Sequence, residues 1–99
     1  MPRIELAQEV LDDFDRFFGH QAMHGIEDAP QRIAQITEAI QVLAHSPFIG
    51  RKAKGGKREL VIGKESRGYV ALYRYVPDVD TVFILAIRSQ RESGYMRSR

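Results

Sequence analysis

His20 and His24, four residues apart in His-Gln-Ala-Met-His, are the first histidines in the chain and a candidate metal-holding pair. On a helix that spacing puts both rings on one face, as in zinc hydrolases. Such an enzyme also needs a glutamate directly after the first histidine as its general base. Gln21 stands there and cannot accept a proton. No third ligand follows at a useful spacing, so the pair reads as a helix-terminal surface pair and no metal site is expected. A second candidate is Gly50 to Lys57, where Gly50 and Gly55 have phosphate-loop spacing. Gly56 fills the lysine position, no Ser or Thr follows Lys57, and the segment leads into a strand instead of opening a helix. Nucleotide hydrolysis is excluded. The segment reads as an exposed, mobile basic loop, with contact to a nucleic-acid backbone as the lesser alternative.

Two further sets carry charge or aromatic rings. Arg88, Arg91, Arg97 and Arg99, with Tyr95, make a positive terminus. Tyr69, Tyr73 and Tyr75 fall on one face of a strand with Ala71 between them, while Leu72 and Arg74 fall on the other. A tyrosine row beside arginines suits stacking on bases or on a partner helix, and equally suits ordinary sheet packing. Arg74 has Glu59 and Asp78 within reach as pairing partners.

The elements that place these residues follow from periodicity. Ile4 to Ala7 reads as a short first strand. From Gln8 to about Met23, Val10, Leu11, Phe14, Phe17, Phe18 and Ala22 form one helical stripe, with Glu9, Asp12, Asp13 and Arg16 outside it. Gly25 is the expected stop. Asp28-Ala29-Pro30-Gln31 opens a second helix, whose seam is Ile33, Ile36, Ile40 and Leu43, and Ser46-Pro47 ends it. Strands are expected at Arg58 to Gly63, Tyr69 to Val76 and Thr81 to Arg88, with turns at Lys64 to Gly68 and Pro77 to Asp80. The last strand is apolar on both faces, which places it inside the sheet and next to the first strand. The expected fold is α+β: β-α-α-β-β-β, a helical hairpin on a four-stranded, mostly antiparallel sheet.

Ninety-nine residues allow one domain with a modest core. Residues 1–99 are taken as that domain, with about 93–99 a flexible basic tail. The formal charge of +2 conceals a division. Residues 1–49 carry three Lys or Arg against eight Asp or Glu, a net of −5, and residues 50–99 carry twelve against five, a net of +7. A basic half of this kind attracts an acidic protein, a nucleic acid or an anionic surface. The absence of cysteine removes thiolate chemistry and fits a reducing cytoplasm. No signal-like stretch opens the chain. The longest apolar run, Val82 to Ile87, is six residues, against roughly 20 for a membrane helix. A soluble cytoplasmic protein with no cofactor and no membrane partner is expected.

The order of blocks from Pro47 to Tyr95 carries a resemblance. "REL-I-G" at Arg58 to Gly63, "GY-ALYRY" at Gly68 to Tyr75 and "FILAIRSQRE-GY" at Phe83 to Tyr95 resemble the strands of the ParE branch of the RelE/ParE toxins, also described as plasmid stabilisation proteins. That resemblance implies a toxin of a type II toxin–antitoxin pair, neutralised by a cognate ParD-like antitoxin that wraps an acidic segment around it. It also implies DNA gyrase as the target, trapped in its cleaved-DNA state and blocked by binding alone. The expected target-facing residues are Arg51, Arg58, Arg74, Arg88, Arg91 and Tyr95. The expected antitoxin anchors are Phe14, Phe18, Tyr73 and Tyr75, lining a groove between the helical hairpin and the sheet. The alternative is a RelE-like, ribosome-dependent mRNA endonuclease. For that branch the resemblance implies lysines on the strand from Arg58, arginine early in the strand from Tyr69, and arginine then tyrosine after the last strand. Here Glu59, Val61 and Val70 stand in the first three places, and only Arg91 and Tyr95 correspond at the end. Glutamate and valine cannot offer positive charge to a transition state, so no catalytic residue is assigned.

Overall fold

The computed structural model describes residues 1–19, 29–63 and 68–90. His20, His24, Gly25, Asp28, most of the turn from Lys64, and Arg91, Tyr95, Arg97 and Arg99 lie outside the described residues. The elements in chain order are β1 (Arg3–Leu6), α1 (Gln8–Phe14), α2 (Ala29–Ile40), β2 (Arg51–Lys52), β3 (Arg58–Ile62), β4 (Tyr69–Val76) and β5 (Thr81–Ser89). A π-helical turn, Asp15–Gly19, extends α1, and a 3-10 turn, Gln41–Ala44, extends α2. No helix among the described residues is long and apolar enough to cross a membrane.

The sheet has five strands in the order β1-β5-β4-β3-β2. β1 runs parallel to β5, from Arg3 opposite Thr81 to Leu6 opposite Ile84, and the other pairs are antiparallel. β5 therefore lies inside the sheet, as its two apolar faces require. The count of four strands is corrected by Arg51–Lys52, which pairs with Glu59 and Arg58. Gly50 to Lys57 thus opens with a paired strand and closes with a 3-10 turn at Lys54–Gly56 rather than running as a loop throughout. A two-residue strand of basic side chains has no periodicity to reveal it. Gly55 and Gly56, at φ of 73° and 74°, supply the left-handed backbone of its turn.

The helices cover one face of the sheet. Ile36, Ile40 and Leu43 of the second helical segment are buried, as their spacing requires, and meet Val10, Phe18, Tyr69, Tyr73, Val82, Ile84 and Ile87 in the core. A fully buried side chain of this kind contributes about 1.5–3 kcal/mol. Tyr69, Ala71 and Tyr73 face the helices, so the expected alternation along β4 holds. A register shift between Leu72 and Tyr73 leaves Leu85 as the extra residue of β5. This bulge brings Ile84 and Ile87, three apart, to the same face.

On α1 the expected stripe needs two corrections. Leu11 is 48% exposed, whereas Asp13, assigned to the solvent side, is 1% exposed. The cause lies in β5. β1 ends opposite Ile84, and beyond that point the edge of β5 has no strand beside it. Asp13 supplies the missing acceptor: Ile87 N–H donates to its Oδ2 at 2.8 Å, and Arg16 Nη1 donates to Oδ1 at 2.9 Å.

Asp13→Ala leaves a buried N–H without an acceptor and should cost about 2–4 kcal/mol of unfolding free energy in urea titration. Asp13→Asn retains an acceptor for Ile87 and should cost less than the alanine. Equal stability of wild type and Asp13→Ala would show that the strand edge needs no such partner.

Candidate functional site

The two faces of the sheet carry different chemistry. Side chains of paired residues project from the same face. Arg51 opposite Glu59, Glu59 opposite Leu72, Arg74 opposite Phe83 and Arg88 opposite Val70 all lie on the face away from the helices. Arg51, Arg74 and Arg88 are therefore brought onto one face. Arg51 Nε donates to Glu59 Oε1 at 2.9 Å, Arg74 Nη2 to the Gly55 carbonyl at 2.7 Å, and Arg88 Nη1 to the Ser89 carbonyl at 3.4 Å. Glu59, Val61 and Val70 share that face, since Val61 pairs with Val70. The carboxylate among them is engaged by Arg51, and valine neither donates nor accepts a proton. Among the described residues, no group of three or more His, Cys, Asp or Glu converges to hold a metal.

Arg58 is separated from the other arginines. It pairs with Tyr73 on the helix side, and its Nη1 donates to the carbonyls of Phe48 at 3.1 Å and Gly50 at 2.8 Å. Its guanidinium carbon also sits 5.3 Å from the centre of the Phe48 ring. Arg91 and Tyr95 lie outside the described residues.

The four expected antitoxin anchors do not line an open groove. Phe18 is 3% exposed and Tyr73 is at 0%, so both belong to the core. Phe14 is half-buried against Phe18, and the ring of Phe18 lies 6.0 Å from that of Tyr69. Tyr75 is half-buried and meets Phe48 edge to face at 5.3 Å. The apolar side chains presented at this end are Phe48, 59% exposed, and Ile49, 58% exposed. Both fall between elements, where no periodic pattern singles them out. The only signal was an apolar pair enclosed by Pro47 and Gly50.

Tyr73 organises this corner. Its hydroxyl accepts from Gly50 N–H at 2.9 Å and donates to the Pro47 carbonyl at 2.8 Å. A Cβ on Gly50 would stand 2.7 Å from the Glu59 carbonyl oxygen and from the Cε1 and Oη of Tyr73, so only glycine fits. Burial raises the Tyr73 pKa above the usual phenol value, and the Gly50 hydrogen bond and the Arg58 charge partly oppose that rise. The Tyr75 pKa is raised too, chiefly because its hydroxyl donates to Asp80 Oδ1 at 2.7 Å.

Tyr73→Phe keeps the ring but strands the Gly50 N–H, and should lower stability by about 1–3 kcal/mol. The sign with pH follows from the raised pKa. The folded chain keeps the phenol proton above about pH 10, where the unfolded chain releases it. Stability is complete below that pH and falls as pH rises toward the folded value. Tyr73→Phe should reduce this alkaline loss without abolishing it, because Tyr75 shifts in the same direction. An unchanged alkaline profile in denaturant titrations would refute the assignment.

A family model described as the ParE toxin of the type II toxin–antitoxin system parDE matches residues 4–94. No curated protein matches the chain significantly. Among solved structures, the chain is similar to one from the chromosomal ParDE system of P. aeruginosa, at 22% identity and a TM-score of 0.72. That match covers 90% of this chain and 96% of the other. It is also similar to a chain of the intact E. coli RelBE toxin–antitoxin complex, at 16% identity and a TM-score of 0.61, covering 93% and 100%. The isolated E. coli RelE toxin matches at 15% identity and a TM-score of 0.59, covering 100% and 89%. At these identities the solved structures establish the shared fold of two helical segments on a mixed sheet. With the family match spanning nearly the whole chain, the protein belongs to the ParE toxin family of type II toxin–antitoxin systems.

Proposed function

We propose that this ParE-family toxin acts in the cytoplasm by binding and inhibiting DNA gyrase, and is neutralised by a ParD-like antitoxin. The observation that carries this reading is the sheet face holding Arg51, Arg74 and Arg88. It concentrates positive charge beside apolar Val61 and Phe83 and, among the described residues, brings together no acid and base to do chemistry. A surface of that composition works by docking: the charges steer the encounter and the apolar side chains supply contact area. The reaction that damages DNA then belongs to the target. Arg91 and Tyr95, which lie outside the described residues, join the proposed target-binding set on the sequence resemblance alone. Arg58, held by the carbonyls of Phe48 and Gly50 on the helix side, stands apart from that face.

Strand positions that a RelE-type nuclease would fill with cations hold Glu59, Val61 and Val70, which disfavours mRNA cleavage. Direct contact with nucleic acid is not needed for the proposed action.

With purified gyrase, the toxin should inhibit supercoiling and accumulate cleaved DNA. Arg74→Ala/Arg88→Ala should weaken that inhibition by ~tenfold or more, the loss of about 1.4 kcal/mol of binding. Absence of inhibition by the wild-type toxin would remove gyrase as the target. Cleavage of mRNA on translating ribosomes, abolished by Arg91→Ala or Tyr95→Phe, would move the protein to the nuclease branch.

A further inference from the structure

We infer that Phe48 and Ile49 form a preorganised apolar ridge that anchors an acidic segment of the antitoxin. The inference rests on the reading of the chain as an antitoxin-neutralised toxin, and it assigns the gripping surface to residues that the sequence reading had not named.

The ridge is built and held from within. Of the large apolar side chains exposed among the described residues, Phe48 and Ile49 are the two adjacent in sequence. Several backbone groups in and beside the pair are engaged. The Pro47 carbonyl accepts from Tyr73, the Phe48 and Gly50 carbonyls accept from Arg58, Gly50 N–H donates to Tyr73, and Ile49 N–H donates to Ser46. The turn is therefore held from within the chain, and its two largest side chains are left more than half exposed. The Phe48 ring is steadied by Tyr75 at its side and by the Arg58 guanidinium. A side chain already held in place loses little freedom on binding, which favours it as an anchor. An aromatic side chain in such a position is the usual centre of a protein interface, with charged groups around the rim.

The rim identifies the occupant by its charge. Residues 47–58 contain five Lys or Arg and no Asp or Glu. Lys52, which pairs with Arg58 on the helix side, and Lys54 are exposed, and Lys57 and Arg58 are half-buried, whereas Arg51 lies on the far face against Glu59. The complementary ligand is a peptide that presents an apolar side chain with carboxylates on either side. A nucleic acid fits less well, because stacking on a base needs an open ring face and Arg58 already occupies one face of Phe48. The arginines proposed to meet the target project from the far side of the sheet, whereas the ridge adjoins Tyr73 and Tyr75 on the helix side. The two partners thus have separate surfaces.

The test uses full-length toxin and the purified antitoxin encoded in the adjacent reading frame. Phe48→Ser/Ile49→Ser should stay folded, with a melting temperature lowered only slightly by loss of the Phe48 contacts to Tyr75 and Arg58. It should weaken antitoxin binding by ~tenfold or more, mainly through faster dissociation. Lys52→Glu/Lys54→Glu should weaken binding at low salt and flatten its salt dependence. Antitoxin affinity within about twofold of wild type for both variants would overturn the ridge while leaving the toxin–antitoxin pairing intact. So would variants that bind antitoxin normally but no longer arrest growth, an outcome that gives the ridge to the target. If DNA binding falls while antitoxin binding does not, the ridge belongs to nucleic acid and the inference is wrong. Failure of the wild-type toxin to bind the antitoxin at all would remove the underlying reading instead.

Discussion

The backbone of β5 must be hydrogen-bonded along both edges, and β1 is too short to satisfy one of them past Ile84. Much of the architecture follows from that shortage. The parallel β1 covers the first half of the edge, ending where Ala7 N–H reaches the Ile84 carbonyl at 2.9 Å. The chain then turns directly into α1, so the helix passes over the remaining half. Asp13 on that helix stands in for the missing strand at Ile87. An exposed or unpaired stretch of a central strand would be costly, because buried amide groups need partners. The bulge at Leu85 serves the same end, returning Ile87 to the helix side after the register changes.

A sheet assembled this way has one face committed to the helices and one face left for other work. The helix side takes Tyr69, Ala71, Tyr73, Ile84 and Ile87 into the core. The far side gathers Arg51, Arg74 and Arg88 through cross-strand register, although the three are widely separated in sequence. The same register sets Glu59 and Val61 beside Val70, which leaves no converging acid and base among the described residues. Such a face is suited to docking, the use proposed for it above. Tyr73 links the core to the surface: its ring is buried, while its hydroxyl shapes the turn that presents Phe48 and Ile49.

Much of the fold was legible because period-two and helical apolar patterns run through long elements. The β4 span and its facing residues came directly from alternation, and the position of β5 came from its lack of alternation. The seam of α2 was clear for the same reason. The site was less legible. Phe18 and Tyr73 were read as partner anchors because aromatic residues suit both cores and interfaces, and composition cannot separate the two uses. Arg58 looked like one cation in a basic run. Its position on the helix side and its two carbonyl partners depend on pairing with Tyr73, fifteen residues onward.

Local chemistry along the chain was enough to determine the longer strands and helices, the acidic and basic halves, and the family resemblance, since each depends on neighbours or simple spacing. Burial of Asp13, exposure of Phe48 and Ile49, and the strand at Arg51–Lys52 were decided only in three dimensions. In each case the deciding group comes from a distant element: the Ile87 amide, the Tyr73 hydroxyl and the edge of β3. A residue's type constrains which environments it can tolerate, but packing between remote segments chooses among them.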